Sequence, residues 1–199
     1  MVVLKLILCL VFGYLIGAFS FSITISKYFF GNDVRKEGSG NAGATNMARS
    51  FGILPGIITL VGDILKAVVS VYAGKLIAGE WGMVLAGIAC NLGHCYPVYY
   101  GFKGGKGVSV GLALALCADW RAGITAIVVF TAVVMLSKKV SLSSISGAVG
   151  AAICCLIDGC SVSSRIMIFF AVIMIFIRHK ENIRRLLAGT EPDFHVNKK

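Results

Sequence analysis

The sequence predicts an all-α, polytopic integral membrane protein with seven transmembrane helices in a single domain, residues 1–199. A soluble globular domain is excluded, because 57% of the residues are hydrophobic and 14% are charged, whereas soluble domains are about 45–50% apolar and about 25% charged. Apolar runs long enough to cross a bilayer recur along the chain. They are continuous and do not alternate with polar residues, which favours helices over a membrane β-barrel. Disordered chains are poor in apolar residues, so disorder is also excluded.

Seven apolar runs define the predicted helices. The first contains only Lys5 as a charge, and the last four have 16 or 17 residues, at or just below the usual lower limit of about 17. A cleaved signal peptide is the alternative for the first run, but its single Lys and the membrane segments that follow favour its retention. Glycine makes up 24 of the 199 residues, and we expect some of these to let helices pack closely. In chain order the predicted helices are Val2–Ser26, Ile53–Ile77, Trp81–Tyr100, Gly104–Trp120, Arg121–Leu136, Leu142–Asp158 and Ser161–Ile177.

The distribution of basic residues predicts the orientation. With seven helices, 14 of the 19 Lys and Arg residues fall on one side and 4 on the other, while Lys66 lies within the membrane. Fusing residues 104–136 into one helix would bring the two sides close to balance. Because cytoplasmic loops are rich in Lys and Arg, the count favours seven helices, with the N-terminus outside and the C-terminus in the cytoplasm. The basic side holds Lys27, Arg35, Lys36, Arg49, Lys103, Lys106, Lys138, Lys139, Arg178, Lys180, Arg184, Arg185, Lys198 and Lys199.

The net charge of +10 and the seven cysteines exclude several classes of partner. The basic residues lie in short breaks between apolar runs, as in a membrane protein with basic loops, so we expect no nucleic-acid partner. The number of cysteines is odd and no C-x-x-C spacing occurs, so we expect neither a zinc site nor a disulfide framework. His and carboxylate residues form no cluster in the sequence, so we expect no metal and no cofactor.

The first polar segment on the predicted cytoplasmic side is GSGNAGATN at 38–46, followed by Arg49. Glycines let the backbone approach a ligand closely, and successive N–H groups can form a nest for an anion. A guanidinium can hold a phosphate through two hydrogen bonds. An ordinary Gly/Asn turn between helices is the alternative. The candidate binding residues are Ser39, Gly40, Asn41, Gly43, Thr45, Asn46 and Arg49.

The second polar segment is GFKGGKGVS at 101–109, which opens a predicted helix. A helix N-terminus attracts anions through its free N–H groups and its dipole. A nucleotide-binding Walker A motif does not fit, because Tyr100 stands six residues before Lys106, where Gly is required, and Gly107 replaces the Ser or Thr. The segment therefore predicts a phosphate cradle, with a simple basic loop as the alternative. The candidate residues are Lys103, Gly104, Gly105, Lys106 and Gly107.

Two further polar segments lie on the same predicted side. KKVSLSS at 138–144 is, taken alone, a basic start of a helix, and it includes Ser144. HKENIRRLLAGTE at 179–191 follows the last predicted helix. On a helix, His179 and Asn182 share a face, which brings an imidazole and an amide together. An amphipathic helix at the membrane surface is the alternative for this segment.

Asp63, Lys66 and His94 are polar side chains within predicted membrane helices. Asp63 and Lys66 are three residues apart, and because an isolated charge in a bilayer is costly, we expect them to pair or to face a polar cavity. His94 lies near the cytoplasmic end of the third predicted helix. These residues could have a functional role. They could also be structural, with Asp63 and Lys66 as an ion pair and His94 in a hydrogen bond between packed helices.

Taken together, the segments resemble the bacterial acyl-phosphate:glycerol-3-phosphate acyltransferases, the PlsY family. The resemblance rests on GSGNAGATN at 38–46, GHCYPVYYGFKGGKG at 93–107, HKENIRRLLAGTE at 179–191, the Asp63–Lys66 pair and the serines of 141–144. It covers essentially the whole chain, and the order of the segments is more specific than any one of them. Ala42 stands where Pro is common in the family and the cysteine content is high, but neither departure removes a polar group.

The resemblance implies an enzyme of phospholipid biosynthesis in the bacterial plasma (inner) membrane, with its active site on the cytoplasmic side. Such enzymes move a fatty acyl group from acyl phosphate to the sn-1 hydroxyl of glycerol 3-phosphate, giving lysophosphatidic acid and phosphate. The implied partners are these substrates and membrane lipids; the oligomeric state is open, with a monomer as one option. The implied catalytic residues are His179, Asn182, Lys106 and Ser144, and the implied substrate-binding residues are Ser39, Gly40, Asn41, Gly43, Thr45, Asn46, Arg49, Lys103, Gly104, Gly105, Gly107 and Glu191.

The general base is open between two groups. His179 could accept the proton of the attacking hydroxyl, or a phosphate oxygen of the acyl phosphate could do so. We favour the phosphate, because other glycerolipid acyltransferases place an Asp five residues after their His. Here Tyr99 follows His94 at that spacing and Arg184 follows His179, so the chain does not belong to that class.

Two other functions compete with the acyltransferase. A small transporter of an organic phosphate would account for the intramembrane charges, but the two halves of the chain show no evident inverted repeat and the polar segments gather on one side. A CDP-alcohol phosphotransferase would need several Asp residues for metal, and the five Asp residues here are widely scattered. Turnover in detergent separates an enzyme from a transporter, since a transporter needs a sealed vesicle.

Overall fold

A computed structural model describes residues 1–195 of the chain, and helices dominate that range. Lys198 and Lys199, which the orientation count includes, lie outside the described residues. The described chain contains nine α-helices and two short 3-10 turns, Val34–Lys36 and Val98–Tyr100. The helices are α1 (Val2–Ala18), α2 (Phe21–Phe30), α3 (Ala44–Phe51), α4 (Ile53–Cys95), α5 (Val108–Ala118), α6 (Trp120–Ser137), α7 (Val140–Ile157), α8 (Val162–Arg178) and α9 (Lys180–Leu187).

Length and composition support an all-α membrane protein. Within the described residues, four helical stretches are long and apolar enough to cross a membrane. The pair α8 and α9 meets the same test when taken together and is bent by 62°, which gives up to five candidate spans. The four stretches are Val2–Phe30, Ile53–Tyr100, Trp120–Ser137 and Val140–Ile157.

Helix α4 is a hairpin of two helical limbs. Its backbone leaves the helical region at residues 78–79, where Gly79 has φ +64°. The limbs, 53–77 and 80–95, then run back along each other, so that Lys66 Nζ lies 3.1 Å from His94 Nδ1. The first limb agrees with the second predicted helix, and the second limb covers most of the third. The reversal between the limbs brings intramembrane polar groups of both together.

Helix α1 packs against the second limb of α4 through glycines. A Cβ on Gly13 would meet the backbone of Ala86, and a Cβ on Gly17 would meet that of Cys90, in each case under 3.0 Å. Gly93 of α4 makes the reciprocal approach to the backbone of α1. The expectation that glycines allow close helix packing is therefore confirmed at this interface.

The prediction of one continuous first helix over Val2–Ser26 is wrong. The chain leaves the helix at Phe19, and the Ser20 hydroxyl caps a second helix, α2, which continues to Phe30. The free carbonyl of Phe19 accepts a hydrogen bond from Lys66 Nζ at 2.8 Å. This hydrogen bond satisfies the carbonyl that the helix break leaves free. Its donor is 47 residues away in the sequence, so no local sequence pattern predicts the break.

Two other predicted helices need correction. The one over Trp81–Tyr100 ends at Cys95, because the residue before Pro97 is disfavoured in the helical region. The one over Gly104–Trp120 begins later, since residues 104–107 are nonhelical and largely buried. The last three predicted helices agree with α6, α7 and α8 to within two residues at each end.

The polar segments meet at one end of the helix bundle. Arg35 Nη1 donates to the Tyr100 carbonyl at 2.7 Å, which ties the segment before α3 to the segment before α5. Lys139 Nζ donates to Asp193 Oδ1 at 2.9 Å, which ties the α6–α7 turn to the chain after α9. Segments far apart in sequence therefore converge on one region, and the cavity described next lies there.

Candidate functional site

A cavity of about 620 Å³ opens where the polar segments meet. Its polar side is formed by α3, the segment before α5, the start of α7, and α9 with the residues after it. The rest of its wall is apolar and comes from the first limb of α4 and from α5 to α8. The apolar side chains include Ile57, Leu60, Leu112, Phe130, Ile168 and Val172. The shape suits a ligand with a charged head and an apolar chain.

Most of the predicted site residues line this one cavity. They come from all four polar segments, which the sequence alone could not place together. Those that line the cavity are Ser39, Asn41, Gly43, Thr45, Asn46, Arg49, Lys106, Ser144, His179, Asn182 and Glu191. Those that do not are Gly40, Lys103, Gly104, Gly105 and Gly107.

Five of the predicted substrate-binding residues do not line the cavity. Among them, the Lys103 side chain is exposed and is not part of the cavity wall. Gly104 and Gly105 are buried and shape the backbone that carries Lys106. Gly107 has φ +78°, a left-handed conformation that favours glycine, and it lets the chain turn into α5. Gly40 likewise belongs to the loop backbone.

Lys106 begins a chain of hydrogen bonds along the polar wall. Its Nζ donates to Asn182 Oδ1 at 2.5 Å, and Asn182 Nδ2 donates to Glu191 Oε1 at 2.7 Å. Arg185 Nε donates to the other carboxylate oxygen, Glu191 Oε2, at 2.7 Å. An ammonium has three N–H donors, and among the described residues only Asn182 accepts from Lys106. The ammonium therefore has donors to offer to a ligand in the cavity.

Burial controls the charge of Lys106. Desolvation lowers the pKa of the ammonium from its ordinary value to about 8. The attraction of Glu191 opposes this change, while Arg185, Arg178 and Arg49 lower the pKa further. The group is therefore mostly cationic at neutral pH but close to losing its proton. A bound phosphate would favour the cationic form.

The chain after α9 carries Glu191 back to the cavity. Lys139 Nζ donates to the Glu191 backbone carbonyl at 3.0 Å, which fixes that segment against the start of α7. Burial raises the pKa of the carboxyl, but hydrogen bonds that include those from Asn182 and Arg185 outweigh it, so the pKa of Glu191 lies below its usual range. The carboxylate is ionised at neutral pH and orients the amide of Asn182.

His179 stands at the bend between α8 and α9 and is 2% exposed. Its Nδ1 lies 2.8 Å from the Ile175 carbonyl oxygen. Because a carbonyl can only accept, Nδ1 carries the proton and Nε2 keeps a lone pair. Nε2 can therefore accept a hydrogen bond or a proton from a hydroxyl in the cavity. Within residues 1–195, the group at Nδ1 is this backbone carbonyl and not a carboxylate.

Two helices direct their N-termini at the cavity. Helix α3 begins after Gly43 and α5 after Gly107, and neither has a side-chain cap. Their first residues line the cavity. N–H groups in the first turn lack a partner within the helix, and together with the helix dipole they bind anions. Arg49, in the last turn of α3, and Lys106, just before α5, add cations to the cavity wall. The cavity can therefore offer two positions for phosphate.

Asn46 supports the loop and was predicted only as a donor to substrate. Its Nδ2 donates to the carbonyls of Val34 and Glu37, each at 3.0 Å, and its Oδ1 accepts from the Ser39 N–H at 2.9 Å. The residue is 1% exposed. Its amide thus joins three backbone groups before α3, and the motif alone could not show this because Val34 and Glu37 precede it.

Asn46→Ala should destabilise the protein by about 3 kcal/mol, because it leaves buried backbone donors and acceptors without partners. The expected result is a lower Tm in detergent by differential scanning fluorimetry. Asn41→Ala is the control, since within the described residues the Asn41 side chain makes no hydrogen bond and it lines the cavity directly. Equal Tm values for the two variants would contradict the structural role of Asn46.

Arg178 and Arg185 help to shape the site but were not among the predicted site residues, and His94 was left open between a functional and a structural role. Arg178 donates to the carbonyls of Gly105 and Gly104 at 3.2 and 3.3 Å. His94 and Arg185 line the cavity. In the sequence, the two arginines stand out only as charges after the last apolar run. The general excess of basic residues in cytoplasmic loops explains such charges equally well, so they did not indicate a site.

No metal centre is built into residues 1–195. No group of three or more His, Cys, Asp or Glu side chains in that range is placed to hold a metal ion. All seven cysteines are free thiols. In the described residues, the groups able to neutralise a phosphate are therefore ammonium and guanidinium groups and backbone N–H.

Comparison with known proteins agrees with this architecture. The model of a family described as glycerol-3-phosphate acyltransferase matches residues 7–189. The glycerol-3-phosphate acyltransferase of Carboxydothermus hydrogenoformans is 37% identical over 186 residues, covering 94% of this chain and 95% of that protein. Crystal structures of PlsY, an integral membrane glycerol 3-phosphate acyltransferase, superpose with TM-scores of 0.90 for the glycerol 3-phosphate form and 0.87 for the lysophosphatidic acid form. These structures are 34% and 32% identical to this chain; each covers 96% of it, and the chain covers 96% and 95% of them.

Proposed function

The chain belongs to the glycerol-3-phosphate acyltransferase family, and from that premise we propose that it uses an acyl phosphate as its acyl donor. The reaction transfers the fatty acyl group to the sn-1 hydroxyl of glycerol 3-phosphate. Its products are lysophosphatidic acid and inorganic phosphate. No cofactor or metal takes part in this proposal.

The observation that carries the proposal is the pair of anion positions in one cavity beside an apolar wall. Glycerol 3-phosphate needs one position for its phosphate. An acyl phosphate brings a second phosphate directly to the reacting carbonyl, whereas an acyl thioester has none there. The N-termini of α3 and α5, with Arg49 and Lys106, supply two positions. The apolar wall can hold the acyl chain.

In the proposed mechanism, the sn-1 oxygen attacks the carbonyl carbon of the acyl phosphate. A tetrahedral oxyanion forms, its bond to the phosphate oxygen breaks, and phosphate leaves. The hydroxyl proton passes to an oxygen of the leaving phosphate, while His179 Nε2 accepts a hydrogen bond from the hydroxyl and aims it. Ser39, Arg49 and Lys106 hold phosphates, Asn182 binds the glycerol phosphate, and Ser144 lies close to the reacting groups. The remaining substrate contacts that we assign are Asn41, Gly43, Thr45 and Glu191.

We further propose that the protein is one domain of seven crossings in the bacterial inner membrane, with the N-terminus outside and the cavity open to the cytoplasm. Support comes from the two ends of the bundle. The cavity end carries most of the basic residues. At the other end, the Ser164 hydroxyl donates to the Ala118 carbonyl and the Ser163 hydroxyl to Glu80. Reporter fusions after Lys139 and after Gly159 test this, because opposite compartments are expected.

The charge of Lys106 predicts a pH dependence. Because its pKa is about 8 in the free enzyme, kcat/KM should be level below that pH and fall above it, by about tenfold at pH 9. Lys106→Arg should extend the level region to higher pH, since a guanidinium keeps its charge. Initial rates corrected for spontaneous hydrolysis of the donor give this profile. An identical alkaline limb in Lys106→Arg would assign the limb to another group.

The direct test is phosphate release by the purified protein in detergent, with palmitoyl phosphate and glycerol 3-phosphate omitted in turn. Release that needs both substrates, persists with EDTA and yields lysophosphatidic acid is expected. Lysophosphatidic acid formed from an acyl thioester but not from palmitoyl phosphate would overturn the proposed donor. Uptake of labelled glycerol 3-phosphate into proteoliposomes by a chain without turnover would favour the transporter.

A further inference from the structure

A buried cluster of ionisable groups lies beside the cavity and is not used by the mechanism above. Asp63, Lys66 and His94 are each at most 6% exposed. Lys66 Nζ lies 2.8 Å from Asp63 Oδ1, 3.1 Å from His94 Nδ1 and 2.8 Å from the Phe19 carbonyl oxygen. Two of these contacts are hydrogen bonds, to the Phe19 carbonyl and to His94 Nδ1, and the third is an ion pair with Asp63. Together they hold Lys66 and its neighbours in a fixed arrangement.

The cluster has a cost that stability alone does not explain. Burying an ion pair removes both charges from water, and apolar residues of similar volume are often as good or better for stability. Charges placed within membrane helices carry the same cost. Here the pair sits in the first limb of α4, where the side chains contact His94 of the other limb and the carbonyl at the α1–α2 break through polar groups. Its geometry serves to orient His94.

The orientation of His94 matters because its other edge faces the segment that carries Lys106. An ammonium only donates, so His94 Nδ1 accepts from Lys66 and the edge with Nε2 and Cε1 points away from it. That edge lies against Gly105, where an added Cβ would overlap both ring atoms. Backbone hydrogen bonds join the same two segments. The N–H groups of Gly105 and Gly104 donate to the carbonyls of His94 and Cys95 at 3.1 and 3.3 Å.

We propose that Asp63, Lys66 and His94 are positioning residues that hold residues 104–107 in place and so set the position of the Lys106 ammonium in the cavity. This inference rests on the proposed role of Lys106. From the opposite side, Arg178 holds the carbonyls of the same glycines. The segment is thus clamped between the cluster and α8. An error of about 1 Å in such a group can cost about 100-fold in rate.

His94→Asn tests the contact. An Asn oxygen can still accept from Lys66, but the ring that packs against Gly105 is gone. We expect kcat/KM to fall by about 10- to 100-fold, with an alkaline limb moved to higher pH because Lys106 leaves its buried position. Asp63→Asn with Lys66→Met removes both charges together and should give the same kinetic change. Thr59→Val is the matched control, since Thr59 is also fully buried in the first limb.

Gly105→Ala tests the same contact from the loop side. The added methyl group collides with the His94 ring and should lower kcat/KM in the intact chain. In a His94→Ala background the collision with the ring is removed and the Ala42 carbonyl oxygen, 3.1 Å from the added Cβ, is the remaining close neighbour. Gly105→Ala should then add little further loss. Additive losses in the double mutant, or full activity of Gly105→Ala alone, would overturn the contact. The Gly105→Ala experiment tests the contact even if the Asp63 and Lys66 variants fail to fold.

The outcomes separate this inference from the proposed function. Folded His94→Asn and Asp63→Asn/Lys66→Met proteins with the kinetics and pH profile of Thr59→Val would overturn the positioning role. If Lys106→Met is inactive in the same experiment, the proposed site survives that result. If Lys106→Met is fully active, the proposed role of Lys106 fails, and with it the purpose of the clamp.

Discussion

Replacing Lys106 with methionine should lower kcat/KM for glycerol 3-phosphate and palmitoyl phosphate by about 1000-fold. The substitution removes a partly buried cation that lines the cavity, and it also leaves Asn182 Oδ1 without its donor. A desolvated charge aimed at a phosphate acts at low dielectric, so its loss costs far more than that of a surface lysine. Single-turnover rates at saturating substrate separate the loss in binding from the loss in chemistry.

Lys103 supplies the matched control for that experiment. It lies in the same segment and carries the same charge, but it is exposed and outside the cavity. Lys103→Met should keep kcat/KM within about threefold, because surface charges add little. Equal losses in the two variants would mean that the segment acts through its overall charge. The position of the Lys106 ammonium would then have no special role.

Lys103 and Lys106 show what the sequence alone cannot predict. Both lie in a glycine-rich segment before a helix, and both were predicted site residues, Lys106 as catalytic and Lys103 as substrate-binding. The feature that separates them is contact with α9 and with the cavity, and α9 is more than 70 residues away in the sequence. A local motif identifies the segment that carries the chemistry, but only the folded chain selects which of its side chains reaches the site.

The helices show the same limit: the sequence predicts some of their boundaries and misses others. Continuous apolar runs located α6, α7 and α8 to within two residues, because burial in an apolar medium selects for such runs directly. The break between α1 and α2 was missed, since it is stabilised by Lys66 from α4. The nonhelical stretch before α5 was also missed, because its support comes from the carbonyls of His94 and Cys95 and from Arg178. Irregular backbone is tolerated where distant groups satisfy it.

His179→Ala should lower kcat by about 100-fold. The substitution removes the lone pair at Nε2 that we assign to aiming the attacking hydroxyl, and it leaves the Ile175 carbonyl without its donor. His195→Ala is the control, because His195 is exposed and does not line the main cavity. Near-normal kcat and KM for His179→Ala would make any role of His179 in the reaction untenable.

His179→Gln then decides which group takes the proton. A glutamine oxygen can accept the hydrogen bond of the hydroxyl but cannot act as a base near neutral pH. If the leaving phosphate takes the proton, as we propose, His179→Gln should keep about ten times more activity than His179→Ala. If His179 is itself the base, both variants should be equally impaired, and the acid limb of the kcat profile should vanish in both. The backbone carbonyl at Nδ1 favours the first result, because a neutral acceptor raises the basicity of Nε2 less than a carboxylate would.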